Sequence, residues 1–200
     1  MKQPLRCACG SVSGSVANPH RANRVICYCR DCQAFARFLG REAEVHDARG
    51  GSQVIQTLPR NVSIERGLEQ LACVRLSEKG LLRWYAACCR SPIGNTLPTA
   101  KMSFVGLVST CVETPEAPAE AAFGPVRCCV NTEGAIGEAK PAPFAVGTLI
   151  RWFIVTTLLA RLRGDWRTNP FFDVETDRPI ARPTVLSPDE RERLRAVRPA

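Results

Sequence analysis

Cysteine is the residue that can do chemistry in this chain. Eleven stand among its 200 residues, and they fall in knots: Cys7-x-Cys9, then Cys27-x-Cys29-x-x-Cys32, with Cys88-Cys89 much later. Thiolate sulfur suits a borderline cation, and zinc is the first choice because its tetrahedral sites tolerate many loop shapes. Four thiolates close such a site, whereas three leave a position for water or a substrate. Gly10, directly after the second cysteine, permits the positive φ that a metal knuckle needs. Disulfides are the competing reading. The C-x-C spacing strains an internal bridge, the count is odd, and the start, MKQPLRCACG, has no apolar stretch of the secretory type. Reduced cytoplasmic thiols holding metal are therefore the expectation.

Cys7 and Cys9 need further ligands from a distant segment. Cys89, which follows an expected strand at Leu82–Ala86 and precedes Ser91-Pro92-Ile93-Gly94-Asn95, is the natural third. Cys88 is a candidate fourth, although adjacent cysteines do not easily face one metal, and Cys73, Cys111, Cys128 and Cys129 are substitutes. Cys73 and Cys111, each alone in a strand, read better as small buried hydrophobes. Cys27, Cys29 and Cys32 form the second group: alternation puts the first two on one side of an extended stretch, and Cys32 folds back at a helix start. An open zinc position there would lower the pKa of a bound thiol or water. A far cysteine such as Cys128 would instead close the site, and the local sequence leaves both arrangements open.

The elements that must position these thiols are mainly β. Short alternating or β-branched runs at 11–16, 24–28, 54–58, 71–76, 82–86 and 104–110 read as strands, punctuated by Gly50-Gly51, Pro59-Arg60-Asn61 and Glu78-Lys79-Gly80. A short helix is expected at 31–39. Residues 1–112 form the zinc-binding domain, 113–143 a Pro/Ala/Glu-rich linker with a further strand at 123–130, and 144–200 a helical C-terminal extension. Helices are expected at 147–163 and 188–197, the second with Ser187 as N-cap, Pro188 at its first position and Glu190 reaching back.

Charge narrows the function classes. The net +8 comes from 27 basic residues against 19 acidic, and zinc sites of four and three thiolates would reduce it to +5. The basic residues are scattered, with no run or stripe of the kind that tracks a phosphate backbone. Arg151 interrupts the one long apolar stretch, and Arg161 and Arg163 end it. That rules against a spanning segment and for an amphipathic helix packed on its own domain or on a partner.

Taken in order, Cys7-Ala8-Cys9-Gly10, Cys27-Tyr28-Cys29-Arg30-Asp31-Cys32-Gln33 and Tyr85-Ala86-Ala87-Cys88-Cys89-Arg90-Ser91-Pro92-Ile93-Gly94-Asn95 resemble the glutathione-dependent formaldehyde-activating enzyme family, which also includes centromere protein V. The resemblance covers roughly residues 3–112. It implies a mainly β, Mss4-like fold of zinc-stapled antiparallel sheets with two zinc ions per chain. It also implies a closed structural site at Cys7, Cys9 and Cys89, and a catalytic open site at Cys27, Cys29 and Cys32. The family's last motif reads Cys-x-x-Cys-Gly, and here Ala86 and Arg90 replace its first and last residues. The fourth structural ligand then falls to Cys88, another cysteine or water.

The implied activity is that of a carbon–sulfur lyase handling adducts of an aldehyde and a small thiol such as glutathione, with Arg30 or Arg37 placed to hold a carboxylate. His20 and His46 lie in turn-like segments and read as solvated loop residues. The alternative is a non-catalytic zinc-stapled binding module, its C-terminal helices meeting a protein partner. Nucleic-acid binding, raised by the basic charge and by centromere protein V, is disfavoured by dispersed arginines and only three tryptophans.

Overall fold

The computed structural model describes residues 2–112, 118–137 and 146–196. In chain order it runs β1 (Lys2–Arg6), β2 (Ser13–Ala17), β3 (Asn23–Cys27), α1 (Arg30–Leu39), α2 (Glu42–Val45), β4 (Ser52–Thr57), β5 (Val62–Arg66), β6 (Leu71–Arg75) and β7 (Leu82–Ala86). Then follow β8 (Ser91–Thr96), β9 (Val105–Val108), α3 (Ala119–Phe123), β10 (Cys128–Val130) and α4 (Val146–Arg163). Last come β11 (Phe172–Asp173), β12 (Arg178–Pro179), β13 (Thr184–Val185) and α5 (Pro188–Ala196).

The fold is sheet-rich and largely antiparallel, as expected. One sheet has eight strands in the order β10-β3-β4-β9-β8-β7-β6-β13, and a smaller one has the order β1-β2-β5. Among the described residues only the two edge strands of the larger sheet, β10 beside β3 and β13 beside β6, pair in parallel. The two sheets share one core around Leu5, Val16, Ile55, Val62, Ile93 and Leu107. Trp84 is its largest fully buried side chain. Its ring packs on Phe171 and Phe172 at 5.2 and 6.3 Å. Its indole N–H donates to Thr96 Oγ1 at 2.9 Å, so the one polar atom of that side chain is satisfied.

β8 lies inside the sheet although it contains Pro92, which cannot donate to a ladder. The sheet accommodates it at an irregularity: β7 pairs Trp84 with Gly94 and then Tyr85 with Pro92, skipping Ile93. The ladder to β9 begins only at Gly94.

α1 carries Cys32 of the second cysteine group, with Cys29 as its N-cap, and is covered on its apolar side. Ala34, Phe35 and Leu39 pack with Val74, Leu76 and Leu186, and Leu194 of α5 joins them. Arg37, expected to be free for a ligand, is instead spent on this contact: it donates to Glu42 Oε1 at 2.9 Å and to the Leu194 carbonyl at 2.7 Å. Asp31 meets Arg195 of α5 at 3.1 Å. Glu190 N donates to Ser187 Oγ at 3.2 Å, so the expected N-cap of α5 forms.

Three expectations change. The segment expected as a loop before residue 123 holds α3 at its end, and the strand expected at 123–130 shrinks to β10; residues 113–117 and 138–145 of the linker lie outside the described residues. α4 is not amphipathic in the expected sense: Phe153 packs on Phe104 at 5.3 Å and Ala160 is buried. Yet Ile150, Ile154, Val155, Leu158, Leu159 and Leu162 are all exposed. His46 is half-buried rather than solvated, and desolvation holds its pKa below the usual histidine value. Among the described residues no helix is long and apolar enough to cross a membrane.

The seat of α1 makes the first prediction. Leu186→Ala removes a buried side chain between β6 and α1 and should cost about 2–3 kcal/mol in urea denaturation. Amide exchange should quicken in α1 more than around Trp84.

Candidate metal centres

The first group is built at the ends of two hairpins. Cys7 and Cys9 sit in the turn from β1 to β2, and Cys88 and Cys89 in the turn from β7 to β8. The four sulfurs lie within 4.8 Å of one another. Measured pairs are Cys7–Cys9 at 3.5 Å, Cys9–Cys88 at 3.4 Å, Cys88–Cys89 at 3.9 Å and Cys7–Cys88 at 4.0 Å. Tetrahedral zinc with sulfur at about 2.3 Å separates its ligands by about 3.8 Å, so the donor set fits a closed four-thiolate site. The knuckle geometry is present too. Val12 N donates to Cys7 Sγ at 3.3 Å, and Gly10 takes φ +78°.

Adjacent Cys88 and Cys89 both reach the group because the turn after them is left-handed. Arg90, which stands where the resembled family has glycine, adopts φ +56°, a conformation that costs a side-chain-bearing residue about 1 kcal/mol. Its guanidinium offsets that cost against the end of α1. Nε donates to the Leu39 carbonyl at 3.2 Å, Nη2 donates to the Phe38 carbonyl, and the charge lies 5.2 Å from the Phe38 ring centroid.

Electrostatics divides the four thiols unevenly. Cys9 is lowered to about 6, first by Ser11 and then by hydrogen bonds from Cys88 and Cys7. Cys7 and Cys88 are pushed up by desolvation first and by their neighbouring thiols next.

The second group has three sulfurs. Cys27 ends β3, Cys29 is the N-cap of α1, and Cys32 lies in its first turn. All three are within 4.8 Å of one another, with no fourth metal-ligating side chain among the described residues. Cys32 N donates to Cys29 Sγ at 3.3 Å, so the positive end of α1 points at sulfur. Cys27 is buried, and Cys29 and Cys32 are half-buried. Without a cation the thiols crowd one another. Cys32 rises to about 11, chiefly through its hydrogen bond with Cys27 and against the charge of Arg83. Cys29 also reaches about 11: Cys27 lowers it, but Cys32 and burial outweigh that. The raised values mean that a dication would have to displace protons held more firmly than usual, while three convergent sulfurs remain a donor set it could use.

The surroundings contain residues the sequence did not single out. Arg83, buried in β7, lies 3.9 Å from Cys32 Sγ, donates to Asn95 Oδ1 at 3.1 Å and stacks over Phe35. Asn131 donates to Cys27 Sγ at 3.4 Å. Gln33 ties the two sides together, donating to the Tyr28 carbonyl at 3.1 Å and to the Gly134 carbonyl at 2.9 Å. Gly134 must be glycine, since a Cβ there would meet the Tyr28 oxygen at 2.2 Å. A cavity of about 10 Å³ opens beside Cys32, lined by Ser52, Arg83 and Asn95, with room for about one water. Arg30 is exposed and has no recorded bond to this group.

The remaining thiols stand apart. Cys73 and Cys111 are buried among apolar side chains. Cys128 packs beside Val25, Cys27 and Val54, and with Cys129 it belongs to neither cluster. Among the described residues, two cysteine groups could therefore hold metal.

A model of a family of unknown function, DUF6151, matches residues 1–180. The chain belongs to this family. DUF6151, rather than the formaldehyde-activating family, is thus the shown relationship. No curated protein matches the chain. A crystal structure of a Rhodobacter sphaeroides protein is similar at 18% identity over 56% of this chain and 92% of that one. Its TM-score of 0.38 is too low to carry an argument. For this DUF6151 member the site itself has to supply the functional reading.

The left-handed turn is directly testable. Arg90→Gly relieves the strain but loses the contacts to α1, and Arg90→Ala loses the contacts and keeps the strain. Thermal unfolding should rank native above Arg90→Gly above Arg90→Ala, the last two differing by about 1 kcal/mol. The second group should bind metal more weakly as pH falls. Its thiols are protonated below their raised pKa values, so each proton displaced on binding costs about tenfold in apparent affinity per pH unit. A competition titration with a chromophoric chelator between pH 6 and 8 measures that slope.

Proposed function

We propose that this protein binds two zinc ions, one closing the Cys7/Cys9/Cys88/Cys89 group as a staple and one held by Cys27, Cys29 and Cys32 for chemistry. The reaction we infer is of the carbon–sulfur lyase type, on adducts of an aldehyde with a small thiol such as glutathione. The observation that carries this reading is the three-sulfur group beside a buried arginine, with no fourth protein ligand among the described residues.

A bound zinc would supply a Lewis acid able to hold a thiol as thiolate or to polarise a carbonyl. The chain's own residues do the rest. Arg83 and the N-terminal end of α1 place positive charge where negative charge gathers on sulfur or oxygen. Gln33 and Asn131 fix the cysteine loop, so the donors need not reorganise. In the forward direction a carbon–sulfur bond forms, the carbonyl π bond breaks, and the thiol proton ends on the new hydroxyl oxygen. The reverse reaction restores thiol and aldehyde.

A second reading has its own support. The cavity beside Cys32 holds about one water, too little for a tripeptide thiol on that side. The second zinc would then be structural, with water as its fourth ligand, and the exposed apolar side chains of α4 would serve a protein partner.

Zinc content separates the possibilities. The intact chain should carry two zinc ions per molecule after exhaustive dialysis, and Cys29→Ala one. Thiol–aldehyde adduct turnover, followed by loss of free thiol, should disappear in Cys29→Ala and fall at least tenfold in Arg83→Gln. Turnover that survives in Cys29→Ala would refute the enzymatic reading.

A further inference from the structure

Away from both cysteine groups, a pocket of about 350 Å³ lies between α4 and the loops that flank β3 and β4, within the range of small-molecule clefts. No cysteine lines it. Among the described residues four arginines do (Arg21, Arg60, Arg127 and Arg163) against one carboxylate, Asp165. Asp165 takes Arg60 at 2.6 Å. Neither Arg21 nor Arg163 has a carboxylate within ion-pair distance among the described residues. A concave wall lined by excess charge of one sign focuses potential and draws the opposite charge.

Two further features define the ligand. Asp165 is nearly buried, its side chain 8% exposed, and its Oδ2 has no hydrogen-bond partner. A buried acceptor left open is costly and calls for a donor. Trp152, half-buried on α4, supplies an aromatic wall. That wall is held in place, because the neighbouring Phe153 packs on Phe104 at 5.3 Å and the Arg60–Asp165 pair ties the end of α4 to the loop after β4.

We propose that this pocket binds a phosphorylated small molecule of the nucleoside-monophosphate class. The phosphate meets Arg21 and Arg163, a hydroxyl or amino donor satisfies Asp165 Oδ2, and the ring lies against Trp152. Guanidinium groups suit phosphate oxygens through paired, charge-assisted hydrogen bonds, and an indole face suits a base. The site is separate from the metal groups, so it stands or falls independently of the reaction proposed above.

Calorimetric titration of the full chain with adenosine 5′-monophosphate as the probe tests this, with adenosine and inorganic phosphate run beside it. The monophosphate should bind at least tenfold more tightly than either, and its affinity should fall as sodium chloride rises. Arg21→Gln and Arg163→Gln should each weaken it about tenfold, with zinc content and circular dichroism unchanged; both side chains are exposed, so folding should tolerate them. Absence of binding, equal binding of inorganic phosphate or adenosine, a flat salt response, or unchanged affinity in either variant would overturn the proposal.

Discussion

The structure depends on bringing cysteine sulfurs, which repel one another once ionised, into contact. Two unit charges at about 4 Å repel by about 4 kcal/mol at an effective dielectric of 20, and four such sulfurs share a space less than 4.8 Å across. Protons neutralise most of them when no cation is bound, with Cys29 and Cys32 raised to about 11, and a cation would have to displace those protons. One dication in each group would offset the charge left when the protons go. A metal there would join the β1–β2 and β7–β8 turns and give the sheets that carry them a cross-link that packing alone does not provide.

The second group shows how much scaffolding three convergent sulfurs need. β3 delivers Cys27, and the start of α1 delivers Cys29 and Cys32. β10 lies parallel to β3 and brings the 131–134 turn over the sulfur. From the far side, β13 and α5 close over α1. Residues separated by more than 100 positions therefore fix one small site.

Much of this was legible in the sequence, and the failures have physical causes. Cysteine spacing marked both groups, because metal ligands must stand close along the chain or at paired strand ends. Leu82–Ala86 was read without error because its alternation ends at sharp turns. β1 was missed because KQPLR offers only Leu5 as a clear inward hydrophobe, with Gln3 buried beside it. β8 was missed because SPIGNT is wholly buried yet has little hydrophobic pattern. Doubt over Cys88 came from its standing next to Cys89; the left-handed turn at Arg90, which lets both reach the group, is held by contacts with α1 that no local pattern encodes. Arg83 was invisible for the same reason, since its sulfur neighbour stands 51 residues earlier.

The distance along the chain between Cys9 and Cys88, 79 residues, has a consequence for the protein's birth. At ribosomal speeds of about 5–20 residues per second, the first two thiols emerge roughly 4–16 s before their partners. For that interval they form an incomplete chelate, open to oxidation or to capture by a metal that prefers fewer ligands. The four-sulfur group is complete only when the second hairpin arrives, so any ion that it takes with all four sulfurs would be taken after Cys88 and Cys89 have been made.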